Sequence, residues 1–237
     1  MQSIALALIV SYLCGAVPVG VLVGRLRGID VRDVGSGNIG ATNVWRSLGP
    51  VAGGSVFALD VLKGLAGPFL GRALAGPDAH RAIAGCAVMA VLGHTFSIFL
   101  KFKGGKGIAT SLGAMFGLTP IPALCCFALW GVVLLFSRII SVASIAACVA
   151  VPIAAYASGA PHSYVAVIGV MGLVGLLKHI PNMKRLRDGT EPRVGQKKME
   201  SPVRTRSVSV GLSSTESLET IDDDVTKQFE KEPVMEQ

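Results

Sequence analysis

Seven apolar runs, separated by polar segments that carry most of the charge, restrict what this chain can fold into. They cover residues 3–24, 51–75, 81–100, 108–118, 121–136, 139–157 and 163–177. A helix needs about 20 residues to cross the roughly 30 Å hydrocarbon core of a bilayer, and most of these runs approach that length. The expected fold is an all-α integral membrane protein with seven transmembrane helices. Two runs strain the pattern. Residues 108–118 are too few to cross without local thinning of the bilayer, and 51–75 contains Asp60 and Lys63. The first run lacks a basic leader and a small-residue cleavage site, so it reads as a retained span rather than a removed signal peptide.

Loop charge orients the bundle. With seven spans and the N-terminus outside, the inner segments hold Arg25, Arg27, Arg32, Arg46, Lys101, Lys103, Lys106, Arg138 and Lys178, together with the basic stretch 184–198. The outer loops hold little more than Arg81. That asymmetry places the C-terminus in the cytoplasm. Six spans would put the basic residues after Lys178 opposite those at 25–46 and 101–106, so charge favours seven.

Only 16% of the residues are charged, against about a quarter in soluble domains. Residues 1–195 hold 16 Lys/Arg and 6 Asp/Glu. A basic membrane body suits anionic partners: membrane lipids, a phosphorylated substrate, or both. Nucleic acid is excluded as a partner, because the basic residues lie between apolar spans. The five cysteines sit inside apolar runs without a CxxC pair and read as small buried residues, not metal ligands. Residues 196–237 carry 6 Lys/Arg and 9 Asp/Glu, are rich in Ser and Thr, and have no apolar period. They are expected to form a disordered cytoplasmic tail, leaving 1–195 as the seven-helix membrane domain.

Three polar segments require a reason. The first, residues 35–43 (GSGNIGATN), runs on to Arg46. Gly35, Gly37 and Gly40 let backbone approach a ligand and turn N–H groups into an anion nest. Ser36, Asn38, Thr42 and Asn43 add polar side chains, and Arg46 adds a planar fork that matches phosphate. The three glycines satisfy GxGxxG, but a juxtamembrane stretch precedes them where a dinucleotide fingerprint needs a buried strand. The second segment, 93–110 (GHTFSIFLKFKGGKGIAT), contains Gly104, Gly105 and Lys106 at a helix start. It is no P-loop, since Gly107 stands where Ser or Thr would follow the lysine. Backbone donors, a helix dipole and an ammonium still make a sound phosphate site there. In the third, 178–191, His179, Asn182 and Arg185 are spaced by three and share one face if helical, although Pro181 falls among them. Glu191 is placed to orient one of these cations. Under the seven-span reading all three segments lie on one membrane face. Lys63 either pairs with Asp60 three residues away or serves an anionic substrate.

These segments, in this order, resemble the three signature motifs of the bacterial acyl-phosphate:glycerol-3-phosphate acyltransferases, over about residues 1–195. The resemblance implies seven helices, an outside N-terminus, a bacterial inner-membrane location and an active site open to the cytoplasm. It implies transfer of a fatty acyl group from acyl phosphate to the sn-1 hydroxyl of glycerol 3-phosphate, giving lysophosphatidate and inorganic phosphate. No metal and no cofactor are implied. By motif, Ser36, Arg46 and Lys106 correspond to phosphate-binding residues, Thr42, Asn43 and Lys63 to pocket residues, and His179 and Asn182 to residues beside glycerol 3-phosphate. His179 would act as base or orienter, unless the substrate phosphate takes the proton. Ile39 and Ser97 stand where the family often has Pro, and Pro181 and Met183 are atypical.

Two rival classes make different predictions. Glycerolipid acyltransferases with thioester donors carry a His-x4-Asp pair, and none of His80, His94, His162 and His179 has Asp five residues later. A transporter of organic phosphates would favour broken helices in two repeated halves, and the sequence contains no internal repeat.

Overall fold

The computed structural model describes residues 2–196, and these form one unit. The tail expected over 196–237 lies, apart from Gln196, outside the described residues. Among the described residues there are ten α-helices, one 3₁₀ turn at Ile98–Leu100 and no strand. In chain order they are α1 (Gln2–Ala16), α2 (Val19–Arg25), α3 (Ala41–Leu48), α4 (Pro50–Ala75), α5 (His80–Thr95), α6 (Ile108–Leu118), α7 (Pro120–Ser137), α8 (Ile140–Ala157), α9 (His162–Lys178) and α10 (Ile180–Arg187).

Proline and glycine set several ends. Pro50, Pro120 and Pro181 occupy the first turns of α4, α7 and α10, where a missing N–H costs no helical bond. Gly107 precedes α6 with φ of 80°. Pro18 interrupts the first apolar run, dividing the expected span into α1 and α2.

Four segments are long and apolar enough to cross a membrane: Ser3–Arg25 across that break, His80–Leu100, Pro120–Ser137 and Ile140–Ala157. The pair α9 and α10, bent by 48°, makes a fifth if counted as one span. At about 1.5 Å per residue the 26-residue α4 is long enough, but Asp60, Lys63 and Arg72 interrupt its apolar character. The 11-residue α6 reaches only part of the way. The outer faces suit lipid: Leu6, Ile9, Phe69, Leu124, Leu135 and Ile153 are all exposed.

Lipid does not drive helices together by hydrophobicity, so close backbone packing must. A Cβ on Gly64 would lie 2.0 Å from the Thr110 carbonyl oxygen, and one on Gly113 would lie 1.9 Å from that of Val61. Glycines therefore bring α4 and α6 into backbone contact. Gly67 and Gly71 do the same between α4 and α5, and Gly15 and Gly93 between α1 and α5. A core of Ile83, Val91, Met115, Ile168 and Met171 fills the space between α5, α6 and α9. A smaller one, with Val21, Val31, Ile39, Val44 and Val56, fixes the first polar segment onto α2 and α4.

Candidate active site

Arg46, Lys106, Asn182 and Arg185 are brought together at one end of the bundle. The Lys106 ammonium donates to Asn182 Oδ1. Asn182 Nδ2 donates to Glu191 Oε1 at 2.6 Å, and Arg185 Nε donates to Glu191 Oε2 at 2.7 Å. Arg46 donates to the Pro192 carbonyl at 3.3 Å. Residues from α3, the start of α6 and α10 thus meet through the segment that follows α10. That segment is held further on, where the Val194 N–H donates to the Arg138 carbonyl at 2.7 Å.

The local chain explains these positions. Pro181 does not disrupt the third segment; it starts a new helix, so Asn182 and Arg185 lie one turn apart on α10. His179, at the bend, is buried, and its Nδ1 lies 2.7 Å from the Gly175 carbonyl. A carbonyl only accepts, so Nδ1 carries the proton and Nε2 keeps its lone pair. Glu191 is also buried. Burial pushes its pKa up, but hydrogen bonds led by Asn182, with Arg185 beside it, outweigh burial and hold it below the usual value. Burial acts against the Lys106 ammonium and lowers its pKa to about 8, with Glu191 opposing and Arg185 and Arg46 reinforcing the shift.

The first segment is less open than a nest. The Asn43 side chain is buried and fully used: its Oδ1 accepts from the Ser36 N–H at 2.8 Å and Oγ at 3.1 Å, and its Nδ2 donates to the Val31 and Val34 carbonyls at 2.8 and 3.1 Å. Asn38 Oδ1 accepts from the Gly40 N–H at 2.8 Å, and the Gly37 N–H donates to the Val34 carbonyl. Asn38 and Asn43 therefore hold the turn's shape, and several of the donors expected to face an anion are spent within it. Gly35 is required because its φ is 60° and a Cβ would lie 2.4 Å from Asn43 Oδ1. Ser36 is exposed and Thr42 half-buried at the start of α3. This short helix was not anticipated, although Val44 and Leu48 are spaced for it.

The second segment also differs in detail. The Gly104 and Gly105 N–H groups donate to the Thr95 and His94 carbonyls at 3.2 and 3.1 Å. Both are glycine because a Cβ would lie 2.0 Å from the His94 oxygen in one case and 2.2 Å from His94 Nε2 in the other. The N–H groups left without intrahelical partners are those of the first turn of α6. Ser97 is buried and donates to the Ala16 carbonyl at 2.6 Å, tying this segment to the α1–α2 break. Lys63 stands apart from the cation cluster: it pairs with Asp60 at 2.9 Å and donates to the Val17 carbonyl at 2.8 Å. The first of the two roles open to Lys63, the ion pair with Asp60, is present in the structure.

Residues 5–189 match the family model for glycerol-3-phosphate acyltransferase. The chain belongs to the glycerol-3-phosphate acyltransferase family. Glycerol-3-phosphate acyltransferase of Thermus thermophilus is 44% identical over 197 residues, covering 83% of this chain and 98% of that protein. The Rubrobacter xylanophilus protein of that name is 45% identical, covering 80% of this chain and 94% of its own length. A crystal structure of PlsY, an integral membrane glycerol 3-phosphate acyltransferase, in its glycerol 3-phosphate form, superposes with a TM-score of 0.78 at 38% identity, covering 81% of this chain and 96% of that one. The lysophosphatidic acid form of the same enzyme gives 0.76.

Proposed function

We propose that this chain transfers a fatty acyl group from acyl phosphate to the sn-1 hydroxyl of glycerol 3-phosphate, at the cytoplasmic face of a bacterial inner membrane. Lysophosphatidate and inorganic phosphate are the products. Seven spans, with the N-terminus outside, put the three polar segments on that face. Residues 1–195 carry the chemistry, and the tail is dispensable for it. The observation that carries this reading is the meeting of Arg46, Lys106, Asn182 and Arg185 at one end of an apolar bundle.

The acyl chain lies among the helices, and its phosphate meets Ser36, Arg46 and the Lys106 loop. Glycerol 3-phosphate binds beside it, near His179, Asn182 and Arg185. The hydroxyl oxygen attacks the acyl carbon, the bond from that carbon to the phosphate oxygen breaks, and the departing phosphate accepts the hydroxyl proton. Holding the two reactants in line supplies much of the rate, while fixed cations and N–H groups stabilise the developing charge. Purified protein in lipid, given glycerol 3-phosphate with acyl phosphate or acyl coenzyme A in parallel, should release phosphate and form lysolipid with the first donor alone. Neither product from acyl phosphate rejects the proposal.

His179, with Nδ1 committed to Gly175, offers Nε2 to orient the glycerol hydroxyl. Because the departing phosphate serves as base, His179→Ala is expected to lower turnover at saturating substrate by less than about tenfold. A loss of about 10²–10⁴, the range typical of removing a general base, would assign the proton to His179.

The Lys106 pKa of about 8 sets the alkaline limb of the pH profile. Below that value the ammonium is present to bind phosphate. Above it the free enzyme loses the charge, so kcat/KM should fall by up to tenfold per pH unit. Bound phosphate favours the ammonium, so the limb of kcat should lie at higher pH. Coincident limbs would exclude Lys106 as the titrating group.

A further inference from the structure

Beside the Lys106 loop lies a buried polar trio that the mechanism above does not use. Asp60, Lys63 and His94 are 2%, 7% and 4% exposed. Asp60 Oδ1 is 2.9 Å from Lys63 Nζ and 3.6 Å from His94 Nδ1. Lys63 also donates to the Val17 carbonyl at the α1–α2 break. The opposite edge of the His94 ring faces the glycine loop. Its Nε2 sits where a Cβ on Gly105 would approach to 2.2 Å, and the His94 carbonyl accepts the Gly105 N–H at 3.1 Å. One side chain thus faces a carboxylate on α4 across 3.6 Å, beyond hydrogen-bond length, and packs on its other side against the residue before Lys106. A buried ion pair is costly and serves stability poorly by itself. This one lies against the ring that forms the floor of the loop.

We infer that His94 and Asp60 are positioning residues for the loop that carries Lys106, acting through contact of the His94 ring with the backbone at Gly105. The functional consequence rests on the phosphate-binding reading of that loop. The geometric claim does not.

His94→Asn separates the two contacts. Its amide nitrogen takes the place of Nδ1 facing Asp60, so the carboxylate keeps a polar neighbour, while the ring edge over Gly105 is removed. The variant should raise KM for glycerol 3-phosphate about tenfold, with kcat changed less than threefold, because the loop is loosened without losing a reacting group. Gly105→Ala alone should be more severe, since its methyl meets the ring. In the double variant the methyl has room, and KM should return to that of His94→Asn instead of multiplying, as residues in contact do not act additively. Multiplied losses, or an unchanged KM in folded His94→Asn, overturn the inference.

A second readout needs no substrate. Acetylation of Lys106 followed across pH by peptide mass spectrometry should have its midpoint near 8 in the parent protein. It should move toward the ordinary lysine range in His94→Asn as the loop opens to water. Asp60→Asn, which removes the charge facing the ring and leaves the ring in place, should give the same shift to a smaller extent. An unmoved midpoint in both variants overturns the inference. Absence of acyl transfer by the parent protein would reject the proposed function alone and leave this labelling to decide.

Discussion

Lys106→Ala is expected to lower kcat/KM for glycerol 3-phosphate by about 10²–10³-fold, the loss seen when one preorganised donor is removed from developing charge. Three features make this residue sensitive. It is half-buried, so water cannot replace its charge cheaply. Its ammonium donates to Asn182, so its removal also leaves that amide oxygen without its partner and loosens the link from α6 to α10. And Glu191, buried beside Asn182 and Arg185, loses part of the positive charge that compensates it. Lys106→Arg keeps the charge but exchanges a compact point donor for a planar fork. It should recover part of the loss and move the alkaline limb of kcat/KM upward, since guanidinium does not titrate in that range. Steady-state kinetics on folded variants check both statements. A Lys106→Ala enzyme within threefold of the parent would remove the cation from the mechanism.

The parts of this molecule that were legible in the sequence are those governed by local rules. Apolar runs bounded by Pro50, Pro120 and Gly107 fell within a residue or two of the helices at α4, α6, α7, α8 and α9, because bilayer length and helix-start chemistry leave little choice. The α1–α2 break was not anticipated, since apolar composition runs straight through Pro18. The polar helices α3 and α10 were obscured by glycine and proline that mark their beginnings. In the site, the residue types that the proposed phosphate binding requires were visible. How their polar groups are shared was not. Whether the amide of Gly104 or Gly105 faces a ligand or a carbonyl depends on the path of α5. The Asn43 amide could equally have served substrate until the Val31 and Val34 carbonyls were placed against it. Arg46 and Pro192 are 146 residues apart, and no local pattern announces such a contact. Lys63 lies between these cases: spacing offered Asp60 as a partner, and only packing added Val17.

The same dependence of site on packing makes a glycine outside the polar cluster a damaging position for stability. Gly113→Val should abolish activity and destabilise the protein together. A Cβ there would sit 1.9 Å from the Val61 carbonyl oxygen and 2.9 Å from the Leu65 backbone nitrogen, and neither is a side chain that could rotate away. The helices must separate, and the contact of Gly64 with Thr110 on the same interface opens with them. Overpacking typically costs 1–3 kcal/mol, and more where backbone must move. A loss of about 3 kcal/mol would lower the melting temperature by roughly 10 °C in a domain of this size. Because α6 begins directly after Lys106 and Gly107, displacing it also shifts the ammonium away from Asn182, so activity should fall even below the melting transition. Gly131→Val is the matched control: it lies in α7, and a Cβ there meets nothing within 4 Å, so the change should be nearly silent. Thermal unfolding in detergent, with acyl transfer measured well below the midpoint, separates the two effects. A Gly113→Val protein that melts with the parent and keeps its turnover would mean that α4 and α6 are not in backbone contact.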